Sequence, residues 1–92
     1  IKEIIDPTMN GIQKENFNYK GVIYFGIMLT ETGPKLLEYN VRLGDPETEV
    51  VLPALKSDSA ELLLSCFNGN LKDFKLEFNS GFFIDVVLVG GG

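Results

Sequence analysis

"GVIYFGIMLTETGPKLLEYNVRLGDPE", residues 21–47, decides how the rest of this chain is read. Residues 21–29 are apolar at every non-glycine position and rich in β-branched and aromatic types, as in a strand covered on both faces. "TETGPK", residues 30–35, brings glycine and proline together for a turn, and "LLEYNVRL", residues 36–43, returns as a second strand. The simplest pairing is an antiparallel hairpin with a loop of roughly four to six residues. Within the second strand, Glu38, Asn40 and Arg42 recur at two-residue spacing. Alternation puts them on one face and Leu37, Tyr39, Val41 and Leu43 on the other. Gly44, Asp45 and Pro46 then break the strand in three successive positions.

Upstream, Ile1, Ile4, Ile5, Met9 and Ile12 follow helical spacing and predict a helix over residues 2–14. Pro7 lies inside that pattern, so either Asp6 caps a helix that starts at Pro7 or the helix passes through and kinks. Downstream, Asp45-Pro46 reads as an N-cap followed by a favoured first helical residue, and this short helix is expected to end before Pro53. A further helix is announced by Asp58 with Glu61 three residues on. Its apolar stripe is Leu62, Leu63, Cys66 and Phe67, and Gly69 is placed to end it. "FFIDVVLVG", residues 82–90, reads as a final strand. Gly21 and Gly26 are read as places of close backbone approach or a bulge. The fold class is α+β, helices against a mostly antiparallel sheet.

Bulk properties narrow the chemistry. The chain has 8 Lys and Arg against 13 Asp and Glu, a net charge of −5, with its cations scattered. Nucleic-acid binding needs clustered cations and is not expected. The single cysteine, Cys66, cannot form an internal disulfide, which points to a reducing, cytoplasmic setting. With no histidine, zinc sites of the usual kinds and every His-dependent catalytic arrangement are set aside. The longest dense apolar run, Val22 to Leu29, is too short to span a bilayer. The first residue, Ile1, and the last three, Gly90-Gly91-Gly92, read as cut ends, so a piece of a longer polypeptide is expected.

Two readings of the polar row compete. A half-exposed strand with Glu38 and Arg42 paired along its surface explains it simply, at under ~1 kcal/mol of stabilisation. Alternatively the row faces a ligand. A carboxylate and an amide carbonyl two residues apart offer hard oxygen donors suited to Mg²⁺, which shares its other sites with water and phosphate. Arg42 would then hold a phosphate through paired donors. A helix starting near Asp45-Pro46 would add amide donors for an anion. Its neighbours Asp45, Glu47 and Glu49 serve most simply in capping and dipole compensation, and Asp45 or Glu47 could instead hold a substrate ammonium group.

Glu-x-Asn-x-Arg on a strand resembles the nucleotide–magnesium signature of the ATP-grasp superfamily. "RLGDPETE", residues 42–49, is more specific and resembles the signature of the phosphoribosylamine–glycine ligases, also called glycinamide ribonucleotide synthetases. "IIDPTMNGI", the hairpin and "LPALKSDSAELLLSCFNGNL" resemble the segments flanking that signature, so the likeness covers nearly the whole chain. Leu43 departs from the Phe carried by many members. The family continues past a Gly-rich stretch with Tyr and Pro where this chain ends in three glycines.

The resemblance implies a fragment of an ATP-grasp domain. Residues 1–81 would be its C-terminal part, and 82–92 a truncated strand leading toward the next domain. It implies a ligase that couples glycine to phosphoribosylamine with ATP through a glycyl phosphate, giving glycinamide ribonucleotide, ADP and phosphate in purine biosynthesis. Glu38 and Asn40 would be Mg²⁺ (or Mn²⁺) ligands and Arg42 would contact the transferring phosphate. Gly44, Asp45, Pro46 and Glu47 would border the glycine and phosphoribosylamine pockets. Partners would be these small molecules and the rest of a parent polypeptide, without nucleic acid or membrane. The family's amino-terminal domain, nucleotide-covering subdomain and most of its carboxy-terminal domain are not matched, so the segment alone is expected to be inactive. A different ATP-grasp carboxylate–amine ligase, or a non-catalytic interaction module keeping the fold, would also carry these residues. Cys66, Tyr39 and the phenylalanines are read as packing groups, and Asp58 as a cap.

Overall fold

The computed structural model describes residues 2–91. The chain divides into two compact units, Ile1–Arg42 and Leu43–Gly92. None of the described residues is fully buried, and no helix among them is long and apolar enough to cross a membrane.

The first unit opens with α1, Lys2–Lys14, which runs through Pro7. Of the two readings at this proline, the continuous helix is the one adopted. Pro7 removes one amide donor, while Ile4, Thr8, Gly11 and Ile12 still line one half-buried stripe. The helix closes with the Phe17 amide on the Ile12 carbonyl (3.1 Å) and the Asn16 amide on Gln13 (3.1 Å). Asn16 takes the left-handed conformation (φ 55°) that this terminator requires, and Asn tolerates it better than most residues.

The hairpin consists of β1, Tyr24–Thr30, and β2, Gly33–Asn40, antiparallel as expected. Its turn is tighter than the sequence suggested. Thr30 pairs with Gly33, so only Glu31 and Thr32 lie between the strands. Gly33, at φ 101°, takes the left-handed position beside the turn, and Thr30 Oγ1 donates to its carbonyl at 2.7 Å. Both strands are also displaced from the expected 21–29 and 36–43, because pairing stops at Tyr24↔Asn40.

A bulge interrupts the ladder. Gly26 faces Glu38 and Ile27 faces Leu36, which leaves Leu37 as the extra residue. The expected two-residue alternation therefore fails at one point. Leu36, not Leu37, joins Tyr39 in lining the cleft against Glu3, Ile4, Pro7 and Thr8 of α1. Leu37 is 64% exposed. Phe25 meets Tyr39 edge-on across the strands, with ring centroids 5.4 Å apart. Thr8 Oγ1 donates back to the Ile4 carbonyl (2.7 Å), so at its 2.8 Å contact with Tyr39 the tyrosine hydroxyl is the donor.

The second unit holds α2, Thr48–Ala54, and α3, Ser59–Asn68, followed by one 3₁₀ turn, Leu71–Asp73. The short helix does not begin at Asp45-Pro46, whose peptide bond is cis. Residues 44–47 form a turn instead, with both the amide and the hydroxyl of Thr48 closing on the Gly44 carbonyl. Glu47 is the N-cap, and its side chain makes no capping bond. Nor does the helix stop before Pro53. The proline gives up only its own donor, and the Leu55 amide still reaches back to Val51 (3.2 Å) and Leu52 (3.1 Å). α3 matches its sequence signals at both ends. Asp58 Oδ1 accepts from the Glu61 amide at 2.9 Å, and Gly69 at φ 80° closes the helix.

Residues 75–79 return beside 54–57 through an isolated Leu55–Phe78 bridge. Ser57 Oγ donates to the Lys75 carbonyl (3.0 Å) and accepts from the Glu77 amide (2.7 Å). The strand expected over 82–90 does not form among the described residues. A strand is defined by a neighbour that pairs with its amides and carbonyls, and no described segment does so. Phe82 (99%), Leu88 (90%) and Ile84 (84%) are accordingly exposed.

Candidate functional site

β2 brings two of the predicted ligands together. Glu38 and Asn40 follow the bulge and lie on one face, with Asn40 Nδ2 donating to Glu38 Oε1 at 3.0 Å. Their face is opposite to Tyr39, whose ring lines a groove of about 400 Å³ with Thr8, Ile12, Phe17, Tyr19 and Val41. That groove is apolar and belongs to the packing of α1 on the hairpin. The oxygen chemistry sits on the other side of the strand.

The hydrogen bond defines what this pair can do. It engages Oε1 of the carboxylate and Nδ2 of the amide. The remaining oxygen of each group, Glu38 Oε2 and Asn40 Oδ1, is the atom a divalent cation would take. Such a pair is one carboxylate and one neutral donor, with the remaining coordination left to water or phosphate, and it fits the demands of Mg²⁺. Among the described residues no group of three or more His, Cys, Asp and Glu side chains is placed to form an all-protein cage. Glu38 is exposed and Asn40 is half-buried.

Arg42 lies beyond the strand that was expected to carry it. β2 ends at Asn40, and Arg42 stands two residues further on in a bend, as the last residue of the first unit. The strand periodicity that was to align it with Glu38 and Asn40 no longer operates there. It is exposed.

Gly44, Asp45, Pro46 and Glu47 belong to the second unit. Here the carboxylate of Glu47 folds back over the backbone of Gly44, where any added Cβ would collide with Glu47 Oε2. Asp45 is exposed and Glu47 half-buried. With α2 only 7 residues long and starting at Thr48, the expected helix end at Asp45-Pro46 is not available as an anion cradle.

One participant escaped the sequence reading of the ligand face. Gly26 lies directly across from Glu38, and a Cβ there would come within 2.9 Å of Glu38 Cγ. The available signal was a glycine inside an otherwise apolar strand, which marks close approach without saying what approaches.

Comparison with known proteins gives this arrangement its family. The model of the phosphoribosylglycinamide synthetase ATP-grasp (A) domain matches residues 1–48. The bifunctional purine biosynthetic protein ADE1 of Schizosaccharomyces pombe is 47% identical over 89 residues, covering 97% of this chain and 11% of that protein. The phosphoribosylamine–glycine ligase of Clostridium acetobutylicum is 50% identical over 80 residues, covering 87% of this chain and 19% of the relative. The trifunctional purine biosynthetic protein adenosine-3 of Drosophila melanogaster is 41% identical over 92 residues, 99% of this chain and 7% of the relative. The chain thus spans no more than about a fifth of the length of these proteins. An α+β chain with this hairpin and this signature belongs to the phosphoribosylglycinamide synthetase family, with residues 1–48 matching its ATP-grasp (A) domain.

Proposed function

We propose that this chain is the part of a phosphoribosylamine–glycine ligase that holds the divalent cation of the bound nucleotide. The parent polypeptide joins glycine to phosphoribosylamine with ATP through a glycyl phosphate, yielding glycinamide ribonucleotide, and works in the cytoplasm. Residues up to 81 continue the ATP-grasp domain, and 82–92 lead toward the next one. The observation that carries the reading is the Glu38–Asn40 pair, hydrogen-bonded on the open face of β2 in a chain of this family.

The physical task is charge control. A carboxylate must approach a triphosphate, so two anions meet unless cations intervene. Mg²⁺ (or Mn²⁺), when bound, supplies that neutralisation and polarises phosphate oxygens. Glu38 and Asn40 would hold it through their side-chain oxygens. Their mutual hydrogen bond orients both groups beforehand, which reduces the ordering cost on binding. Arg42, beyond the strand, contributes a fixed positive charge toward the transferring phosphate. The turn Gly44-Asp45-Pro46-Glu47 borders the glycine and phosphoribosylamine pockets, where Asp45 or Glu47 would hold a substrate ammonium group. Water exclusion falls to the parts of the ligase outside this chain.

The test is Glu38→Ala and Asn40→Ala, each made in the full ligase polypeptide. Both variants are expected to fold with unchanged circular dichroism and to lose magnesium-dependent glycinamide ribonucleotide formation. Normal turnover in both ends the metal-ligand assignment. Loss of turnover accompanied by formation of a different amide from another acid and amine would reassign the substrates within the same superfamily.

A further inference from the structure

Glu38 owes its position to a residue on the neighbouring strand. In the antiparallel ladder Gly26 is the partner of Glu38, immediately before the bulge that makes Leu37 the extra residue. The Glu38 side chain lies across β1 so closely that a Cβ on residue 26 would sit 2.9 Å from its Cγ. Real Cβ atoms do not approach another carbon that closely. The atom concerned is also the root of the side chain rather than its flexible tip. A Cβ at residue 26 cannot be accommodated by bending the carboxylate away. Glu38 Cγ would have to move by roughly half an ångström, by rotation about the Cα–Cβ bond or a shift of the strand, which strains the hydrogen bond from the Asn40 amide to its Oε1, now 3.0 Å.

Backbone conformation does not explain the glycine. Gly26 is absent from the positive-φ positions, which are Gly21, Gly33, Gly69 and Gly81. A strand interior ordinarily disfavours glycine for its flexibility, and alanine would be the better residue at such a site. What Gly26 contributes is space.

We infer that Gly26 is a positioning residue for the cation site: its missing side chain is the slot in which Glu38 is held, hydrogen-bonded to Asn40 with its second oxygen presented to the ion. The inference rests on the metal-binding reading above only for its last clause; the steric part stands by itself.

A double-mutant cycle separates the two. Gly26→Ala, Glu38→Ala and the double variant are made in the full ligase polypeptide, and melting temperature and Mn²⁺ affinity (by electron paramagnetic resonance) are measured for each. Gly26→Ala is expected to lower the melting temperature where Glu38 is present. In the Glu38→Ala background, where no Cγ remains, it leaves that temperature unchanged or raises it. It also weakens Mn²⁺ binding about 10–100-fold, the effect of disturbing a group that orients a ligand. If Gly26→Ala fails to fold, the double variant is expected to fold again. A melting penalty that is the same in both backgrounds, or a double variant that also fails to fold, overturns the positioning role. A non-additive cycle with Mn²⁺ affinity untouched by Glu38→Ala leaves the slot in place and removes the metal from it.

Discussion

Glu38→Gln is the perturbation that isolates charge from geometry. Gln is nearly isosteric with Glu, and its amide oxygen can accept the Asn40 Nδ2 hydrogen bond now made to Oε1 at 3.0 Å. The Gly26 slot accepts it equally, since the Cγ is unchanged. Only the negative charge is lost. Glu38 is exposed, so the water-like limit of the dielectric applies. A directly bound carboxylate oxygen lies about 2 Å from the ion, where a unit charge and a divalent ion are worth about 4 kcal/mol. At 1.4 kcal/mol per decade, the cation dissociation constant should rise by up to about 1000-fold. Mn²⁺ binding to the full ligase, read by electron paramagnetic resonance at fixed ionic strength, measures it directly. The melting temperature should stay put. An affinity within twofold of the unsubstituted protein would refute the reasoning, because a liganding carboxylate cannot lose its charge without cost. A loss far beyond about ten-thousandfold would instead show that the site becomes desolvated on cation binding.

Two further substitutions test the frame of the second unit. Asp58→Ala removes the cap on the Glu61 amide and should cost about 1 kcal/mol, read as faster hydrogen exchange at that amide. Gly69→Ala forces a side chain into the left-handed conformation that ends α3 and should cost about 1 kcal/mol, with exchange accelerating in the last turn of the helix. Unchanged exchange rates in either variant would remove the corresponding terminator from the account.

Sequence by itself determined the local elements whose signals need no partner. The α1 stripe, the hairpin, the Asp58 cap and the Gly69 stop all follow from side chains acting within a few residues of one another. The pairing of Glu38 with Asn40 on one face was legible for the same reason, because the strand period is a local property. Tertiary structure decided whatever depends on a partner strand. The bulge at Leu37 exchanged Leu36 for Leu37 on the face against α1, a change that alternation along one strand cannot encode. Pairing ended at Asn40, so strand periodicity alone no longer fixes the side on which Arg42 stands. Residues 82–90 kept the composition of a strand without becoming one, since backbone hydrogen bonds across a sheet require a second chain segment that the described residues do not supply. Gly26 is the clearest instance: its glycine is visible in the sequence, but its purpose appears only when the ladder sets Glu38 opposite, because space has no owner until two strands share it.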